Sequence, residues 1–132
     1  MDNQNLELLI TGYIQAIYFT DSGDADDGKF PLGAALAPES LAKIREDCQS
    51  FLEQAGDLII GKCTRSGGWF TDLECAGHDF WLTRNGHGAG FWDGDWPETG
   101  ERLTELAKAF GSSDTYAGDD GMVYLVNSTI LN

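Results

Sequence analysis

The chain has 132 residues, 42% of them hydrophobic, and carries 22 acidic against 8 basic side chains, for a formal net charge of −14 at pH 7. This length predicts one compact domain, and so much apolar side chain excludes a disordered chain. With so few cations the chain cannot neutralise a run of phosphates, which argues against direct binding to nucleic acid or to an anionic membrane.

Two further features bear on the compartment. The sequence has no run of about 18 or more apolar residues, so we expect no membrane span, and its start lacks the cationic and then apolar order of a secretory signal. The three cysteines, Cys48, Cys63 and Cys75, are too few and odd in number for a disulfide framework. Together these features predict a reducing, intracellular compartment.

A first helix is predicted over residues 5–20, because the apolar residues between Leu6 and Ile17 recur at helical spacing. Residues 21–28 follow with four carboxylates and two glycines, which predicts a solvated loop. An EF-hand calcium loop needs glycine at its sixth position and glutamate at its twelfth. Frames that start at Ser22 or Asp24 supply neither, so we expect no calcium site.

A second helix is predicted over residues 38–56. Pro38 and Glu39 suit a first helical turn, because proline is tolerated there and an acid favours the positive end of the helix dipole. The apolar positions after them keep helical spacing, and Gly56 is a suitable stop.

A first hairpin is predicted over residues 78–93, because the dipeptide Asn85-Gly86 is typical of a two-residue turn between strands. Side chains alternate between the two faces of such a ribbon. One face, expected in the core, carries Phe80, Leu82, Ala89 and Phe91. The other carries Trp81 and Trp92 beside glycines, which leaves room for another molecule to approach.

A third helix is predicted over residues 96–110, with Asp95 as its N-cap and Gly111 as its stop. A second hairpin follows over residues 114–126, with a strand rich in β-branched and aromatic residues. Helices and hairpins are segregated along the chain. The sequence therefore predicts an α+β fold, a single domain of residues 1–132 in which a small antiparallel sheet of two hairpins packs against about three helices.

Residue types that bind zinc occur close to the first hairpin. The four candidates are Cys63, Cys75, His78 and His87. Structural zinc sites usually combine two close pairs of ligands, but Cys63 has no close partner in sequence and the predicted register separates the two histidines. We expect neither a metal nor a cofactor.

Two groups of residues are candidates for binding. The first is an acidic surface, made of Asp21, Asp24, Asp26, Asp27, Asp93, Asp95, Glu98 and Glu101. The second lies on the hairpin and consists of Trp81, Arg84, His87 and Trp92. Indoles, carboxylates and glycine-opened backbone together have the composition of a protein-binding hot spot for a basic partner.

The block of residues 76–93, AGHDFWLTRNGHGAGFWD, and the later pattern Tyr116-x-Gly-Asp-Asp-Gly-x-x-Tyr124 resemble a family of small acidic proteins encoded by tailed bacteriophages and prophages. The family block continues with Arg where this chain has Gly94, so a function that needs that cation is not expected here. The resemblance brings no catalytic residues with it. It implies a phage accessory protein that acts in the cytoplasm of a bacterial host.

The sequence leaves two functions open. The first is a non-enzymatic acidic phage protein that binds a basic surface of a host protein, as a host-defence inhibitor or a nucleic-acid mimic that offers carboxylates in place of phosphates. The second is a small-ligand-binding protein or weak hydrolase that uses the polar residues of the first hairpin. Those polar residues are His78, Asp79, Arg84 and His87.

Overall fold

The structure, a computed structural model, describes residues 3–23, 28–64, 71–87 and 89–127. In chain order its elements are α1 (Asn3–Asp21), α2 (Pro38–Ile59), α3 (Asp72–Arg84), α4 (Gly100–Lys108), β1 (Ser113–Ala117) and β2 (Val123–Asn127). The predicted α+β class is confirmed, because the described residues form four helices and one small two-stranded antiparallel sheet. Within the described ranges no helix is both long and apolar enough to cross a membrane.

Helices α1 and α3 cross at two glycines. A Cβ atom added to Gly77 would lie 2.0 Å from the carbonyl oxygen of Leu9, and one added to Gly12 would lie 2.0 Å from that of Glu74. Neither distance leaves space for a side chain, so the two backbones touch directly. This crossing gives α1 its most extensive contact and fixes how α3 enters the core.

An aromatic cluster joins the remaining elements to this pair. Phe51 of α2 stacks on Phe80 of α3 with ring centroids 4.2 Å apart and nearly parallel planes. Phe91, from the segment after α3, also stacks on Phe51, with ring centroids 5.7 Å apart. Phe110, just after α4, meets Phe80 edge to face at 5.0 Å. Such ring pairs add to the burial of apolar area that holds the core together.

The predicted first hairpin is wrong, because residues 78–84 belong to helix α3. A capping box starts this helix: the Thr71 hydroxyl accepts a hydrogen bond from the Glu74 backbone N–H at 3.1 Å, and the Glu74 carboxylate accepts one from the Thr71 N–H at 2.9 Å. Most residues of α3 are buried on all sides. A helix without a polar face has no amphipathic pattern in its sequence, so the spacing of apolar residues does not indicate that α3 is a helix.

The Asn85-Gly86 dipeptide ends this helix and does not turn a hairpin. Gly86 has φ +71°, the left-handed conformation that commonly closes a helix, and the His87 N–H bonds back to the Leu82 carbonyl at 3.0 Å. Three of the predicted core residues, Phe80, Leu82 and Phe91, are buried as expected, but by helix and loop packing. The fourth, Ala89, is exposed. A residue that adopts positive φ serves a hairpin turn and a helix end equally well.

The second hairpin is confirmed as β1 and β2, within about a residue of its predicted limits. The strands pair antiparallel with Tyr116 opposite Tyr124. The Val123 backbone also bonds to the segment before α2, donating its N–H to the Ala35 carbonyl and accepting the Ala37 N–H. The hairpin is thereby attached to the start of α2.

The second and third predicted helices correspond to α2 and α4, and each differs from its prediction at one or both ends. Helix α2 continues past Gly56 to Ile59. Helix α4 begins at Gly100, not at residue 96, because residues 97–99 form a turn in which the Gly100 N–H bonds to the Trp96 carbonyl at 2.8 Å. Trp96 precedes the helix. It is buried, so core packing fixes its position.

Candidate functional site

Asp21 does not belong to an acidic surface, contrary to prediction. Its side chain is buried at the end of α1, where it accepts hydrogen bonds from the hydroxyl groups of Thr115 at 2.7 Å and Thr20 at 2.9 Å. It therefore attaches α1 to β1. The other predicted acids of this loop, Asp24, Asp26 and Asp27, lie outside the described residues.

Trp81 is also not available for binding. Only 1% of its surface is exposed, its indole N–H donates to the Thr20 hydroxyl at 2.9 Å, and its ring meets Tyr13 edge to face at 5.4 Å. A buried indole needs such a partner for its N–H. The prediction that Trp81 forms part of a binding face is wrong, because that face depended on the hairpin.

Arg84 is a buried structural cation. Its guanidinium donates to Asp47 at 2.8 Å, to the Tyr13 hydroxyl at 3.0 Å, and to the carbonyls of Gly111 at 2.8 Å and Phe110 at 3.2 Å. These carbonyls follow α4, so Arg84 connects four parts of the chain. Burial alone would lower the pKa of Arg84, but Tyr13 and Asp47 outweigh it and the pKa lies above its ordinary value. Four of its five N–H donors are occupied inside the fold, so the structure does not place Arg84 on the predicted binding surface.

The polar site predicted for a small ligand or a hydrolase is not assembled. Its hairpin is replaced by helix α3, and Asp79 is buried there, accepting a hydrogen bond from the Trp96 indole N–H at 2.8 Å. His78 lies next to Asp79 on the helix, and its ring lies 5.9 Å from that of Phe19. His87 is half-buried after the helix end. Asp79 and Arg84 thus serve the fold.

Cysteine and metal chemistry find no support either. Cys48, Cys63 and Cys75 are all buried. Burial raises the pKa of the Cys48 thiol, which keeps it protonated and inert at neutral pH. Among the residues that the structure describes, no three histidine, cysteine or carboxylate side chains are grouped so that they could hold a metal ion.

Trp92 has the opposite environment, because 54% of its surface is exposed. It lines a groove of about 480 Å³ between the segment after α3 and the face of α4. The lining residues are Phe91, Trp92, Gly94, Trp96, Pro97, Gly100, Glu101, Thr104, Glu105 and Lys108. The groove is a shallow opening on the surface and not an enclosed cavity.

The α4 side of the groove carries three charged side chains, Glu101, Glu105 and Lys108. They follow one another at helical spacing, so they share a face of α4 while Leu103 and Ala107 are buried. The Glu105 carboxylate is paired with Arg102 at 3.1 Å. Glu101 is exposed and has no ion pair with a described residue. Its carboxylate is therefore available in the groove that Trp92 also lines.

The remaining predicted acids of this region lie in the segment between Trp92 and α4 and are not among the residues that line the groove. Asp93 is exposed, and its carboxylate accepts the Gly90 N–H at 3.3 Å. Glu98 is exposed and paired with Lys62 at 2.9 Å, and this hydrogen bond holds the pKa of Glu98 below its ordinary value. Asp95 is half-buried, and its backbone carbonyl accepts the Thr64 N–H. The region thus keeps an exposed acidic character.

Sequence reasoning missed Glu105, Lys108 and the groove itself. The available indication was the amphipathic pattern of α4, whose polar face carries Glu101 and Glu105 four residues apart, directly after the Trp-Pro turn. That pattern identifies an exposed charged face. It does not reveal that Trp92 lies opposite, because this depends on how the chain returns after α3.

Comparison of the chain with protein-family models, with curated proteins and with solved structures found no match. The resemblance to phage proteins therefore stays a prediction. What the chain binds has to be inferred from the chemistry of the groove and of its rim.

Proposed function

We propose that this chain is a non-enzymatic binding protein that recognises a basic surface on a partner protein. The observation that carries the proposal is Trp92, an indole with 54% of its surface in water at the edge of a groove. Tryptophan is enriched among residues that dominate binding energy, and a large exposed aromatic ring is typical of a surface that a partner covers.

The negative charge of the chain predicts that the partner's binding surface is positively charged. A net charge of −14 attracts a basic protein surface, accelerates its encounter and makes the association sensitive to salt. Glu101 lines the same groove as Trp92, and Asp93 follows Trp92 in the chain, so two exposed carboxylates place part of this charge near the indole. The surface therefore offers one aromatic anchor inside an acidic rim, the usual organisation of a protein interface.

The resemblance to phage proteins suggests which basic partner to expect. In a bacterial host cytoplasm, the proteins with the strongest basic surfaces are those that bind nucleic acid, including nucleases and defence complexes. Carboxylates that occupy the phosphate positions of such a partner would block it, so our proposal includes host-defence inhibition by nucleic-acid mimicry.

A capture experiment tests this function. Tagged wild type and Trp92→Ala are incubated with lysate of a bacterial host at low and high salt, and bound proteins are identified. We expect wild type to retain a nucleic-acid-binding protein at low salt only, Trp92→Ala to lose it, and added duplex DNA to displace it. Retention that is equal for both variants, or that is unaffected by salt, would contradict the proposal.

A further inference from the structure

We propose that the groove holds an arginine side chain of the partner, with its guanidinium stacked on the Trp92 indole and paired with Glu101. This inference rests on the proposed function, since it names the partner group that the acidic surface receives. It is drawn from the charges lining the groove, the exposure of the indole and the distribution of existing ion pairs.

Of the two carboxylates that line the groove in the described part of the chain, existing pairs leave Glu101 for an incoming cation. Glu105 is paired with Arg102, and Glu98 is paired with Lys62. Glu101 lines the groove with Trp92 and has no ion pair with any residue in the described part of the chain. It also lies four residues before Glu105 on the same face of α4, where two like charges disfavour each other. A bound cation would relieve that repulsion.

Lys108 orients the occupant. It lines the groove seven residues after Glu101, so the two side chains originate about 10 Å apart along the axis of α4. Its ammonium repels a second cation at that end of the groove. The positive group of the occupant is therefore expected near Glu101 and Trp92, while Lys108 suits a polar or acidic neighbour in the partner chain.

Arginine fits this end better than lysine does. A guanidinium is planar and less strongly hydrated than an ammonium, so it can stack on an indole while donating two hydrogen bonds to one carboxylate. Besides its charged residues, the groove is lined by Pro97 and Gly100, which carry no polar side-chain atom. Gly100 is required there, because its Cβ would lie 2.4 Å from the Phe91 carbonyl.

Peptide titrations followed by NMR test the inference. The probes are oligo-arginine, oligo-lysine and oligo-citrulline peptides of equal length, and the readout is the Trp92 indole N–H resonance, assigned by its loss in Trp92→Phe. We expect oligo-arginine to shift this resonance with an affinity about tenfold above that of oligo-lysine, as one stacked and doubly hydrogen-bonded group requires. Oligo-citrulline, which keeps the shape but not the charge, should not bind.

Two variants locate the site. Glu101→Gln should weaken oligo-arginine binding about fivefold or more, whereas Glu46→Gln, which removes an equal charge from an exposed position on α2 outside the groove, should change it less than about twofold. Trp92→Leu should weaken binding as strongly as Glu101→Gln does, because it keeps an apolar group but removes the indole face. Unchanged unfolding midpoints confirm that each variant folds.

The outcomes separate this inference from the function on which it rests. Equal effects of Glu101→Gln and Glu46→Gln, or equal affinities for arginine and lysine peptides, would overturn the arginine site and leave a general acidic surface. Failure of every cationic peptide to bind, at low as at high salt, would overturn both proposals.

Discussion

Trp81 and Trp92 lie eleven positions apart in one sequence block but have opposite environments. Trp81 is enclosed by α1, with 1% of its surface exposed, and Trp92 is 54% exposed beside the groove. The end of α3 at Arg84 separates them, since Trp81 lies in the helix that crosses α1 and Trp92 lies in the segment between α3 and α4. One block thus contributes a buried, structural half and an exposed half, to which we assign the proposed binding.

The largest effect that distinguishes these halves is expected from Trp81→Ala. Removing a fully buried indole leaves a cavity and the Thr20 hydroxyl without its donor, so the free energy of unfolding should fall by about 3–5 kcal/mol. Urea denaturation monitored by circular dichroism measures this loss. A loss below about 1 kcal/mol would contradict the buried position of Trp81 against α1.

The second prediction concerns the helix crossing. Gly77→Ala should destabilise the protein by about 2–3 kcal/mol, because the new methyl group meets the Leu9 carbonyl oxygen at 2.0 Å. The matched control is Gly56→Ala in α2, where the nearest atom is a Leu52 side-chain carbon at 3.9 Å. That substitution should stabilise by up to about 1 kcal/mol, since alanine favours a helix over glycine. If both substitutions changed the free energy of unfolding in the same direction, the close contact between α1 and α3 at Gly77 would be contradicted.

The third prediction uses pH to test the structural half. Burial raises the pKa of Tyr13, which packs against Trp81 and accepts a hydrogen bond from Arg84. The unfolded chain ionises this tyrosine above about pH 10 and the folded chain does not, so its contribution is complete below that pH and is lost above it, by up to about 1.4 kcal/mol per pH unit.

Tyr13→Phe removes this titration. The stability of wild type relative to Tyr13→Phe, from urea unfolding at pH 8 and pH 11, should therefore decline as the pH rises. A difference that is the same at both values would show that the Tyr13 hydroxyl ionises as freely in the folded as in the unfolded protein.

Sequence alone predicted the elements whose burial is one-sided. Helices α1 and α2 have an apolar stripe and a polar face, and the β1–β2 hairpin has alternating residues around a Gly-Asp-Asp-Gly turn, so local period indicates each of them. Helix α3 is buried on nearly every side and keeps no such period. Its capping box, Thr71 to Glu74, was the remaining local indication of a helix.

The same distinction applies to the candidate site. Glu98 and Glu101 follow a turn and lie on a polar helix face, which local pattern indicates correctly as exposed. Asp21 and Arg84 are charged side chains that become buried because distant partners, Thr115 and Asp47, pair with them. Such pairing depends on contacts between residues far apart in sequence, which a single sequence does not reveal.

The smallest expected effect on stability is that of Trp92, and it gives the sharpest comparison with Trp81. Trp92→Phe should change the free energy of unfolding by less than about 1 kcal/mol, because much of the indole is already in water. Trp81→Phe should cost more, since it removes the hydrogen bond to Thr20 and leaves part of a buried cavity.

Fluorescence distinguishes the two indoles directly. The emission lost on Trp92→Phe, obtained as wild type minus variant, should be quenched by acrylamide, whereas the emission lost on Trp81→Phe should be protected until urea unfolds the chain. Equal quenching of the two difference emissions would refute the conclusion that Trp81 is buried and Trp92 is exposed. If quenching is confined to Trp92, adding oligo-arginine should reduce it, because a guanidinium that stacks on the exposed face excludes the quencher from it.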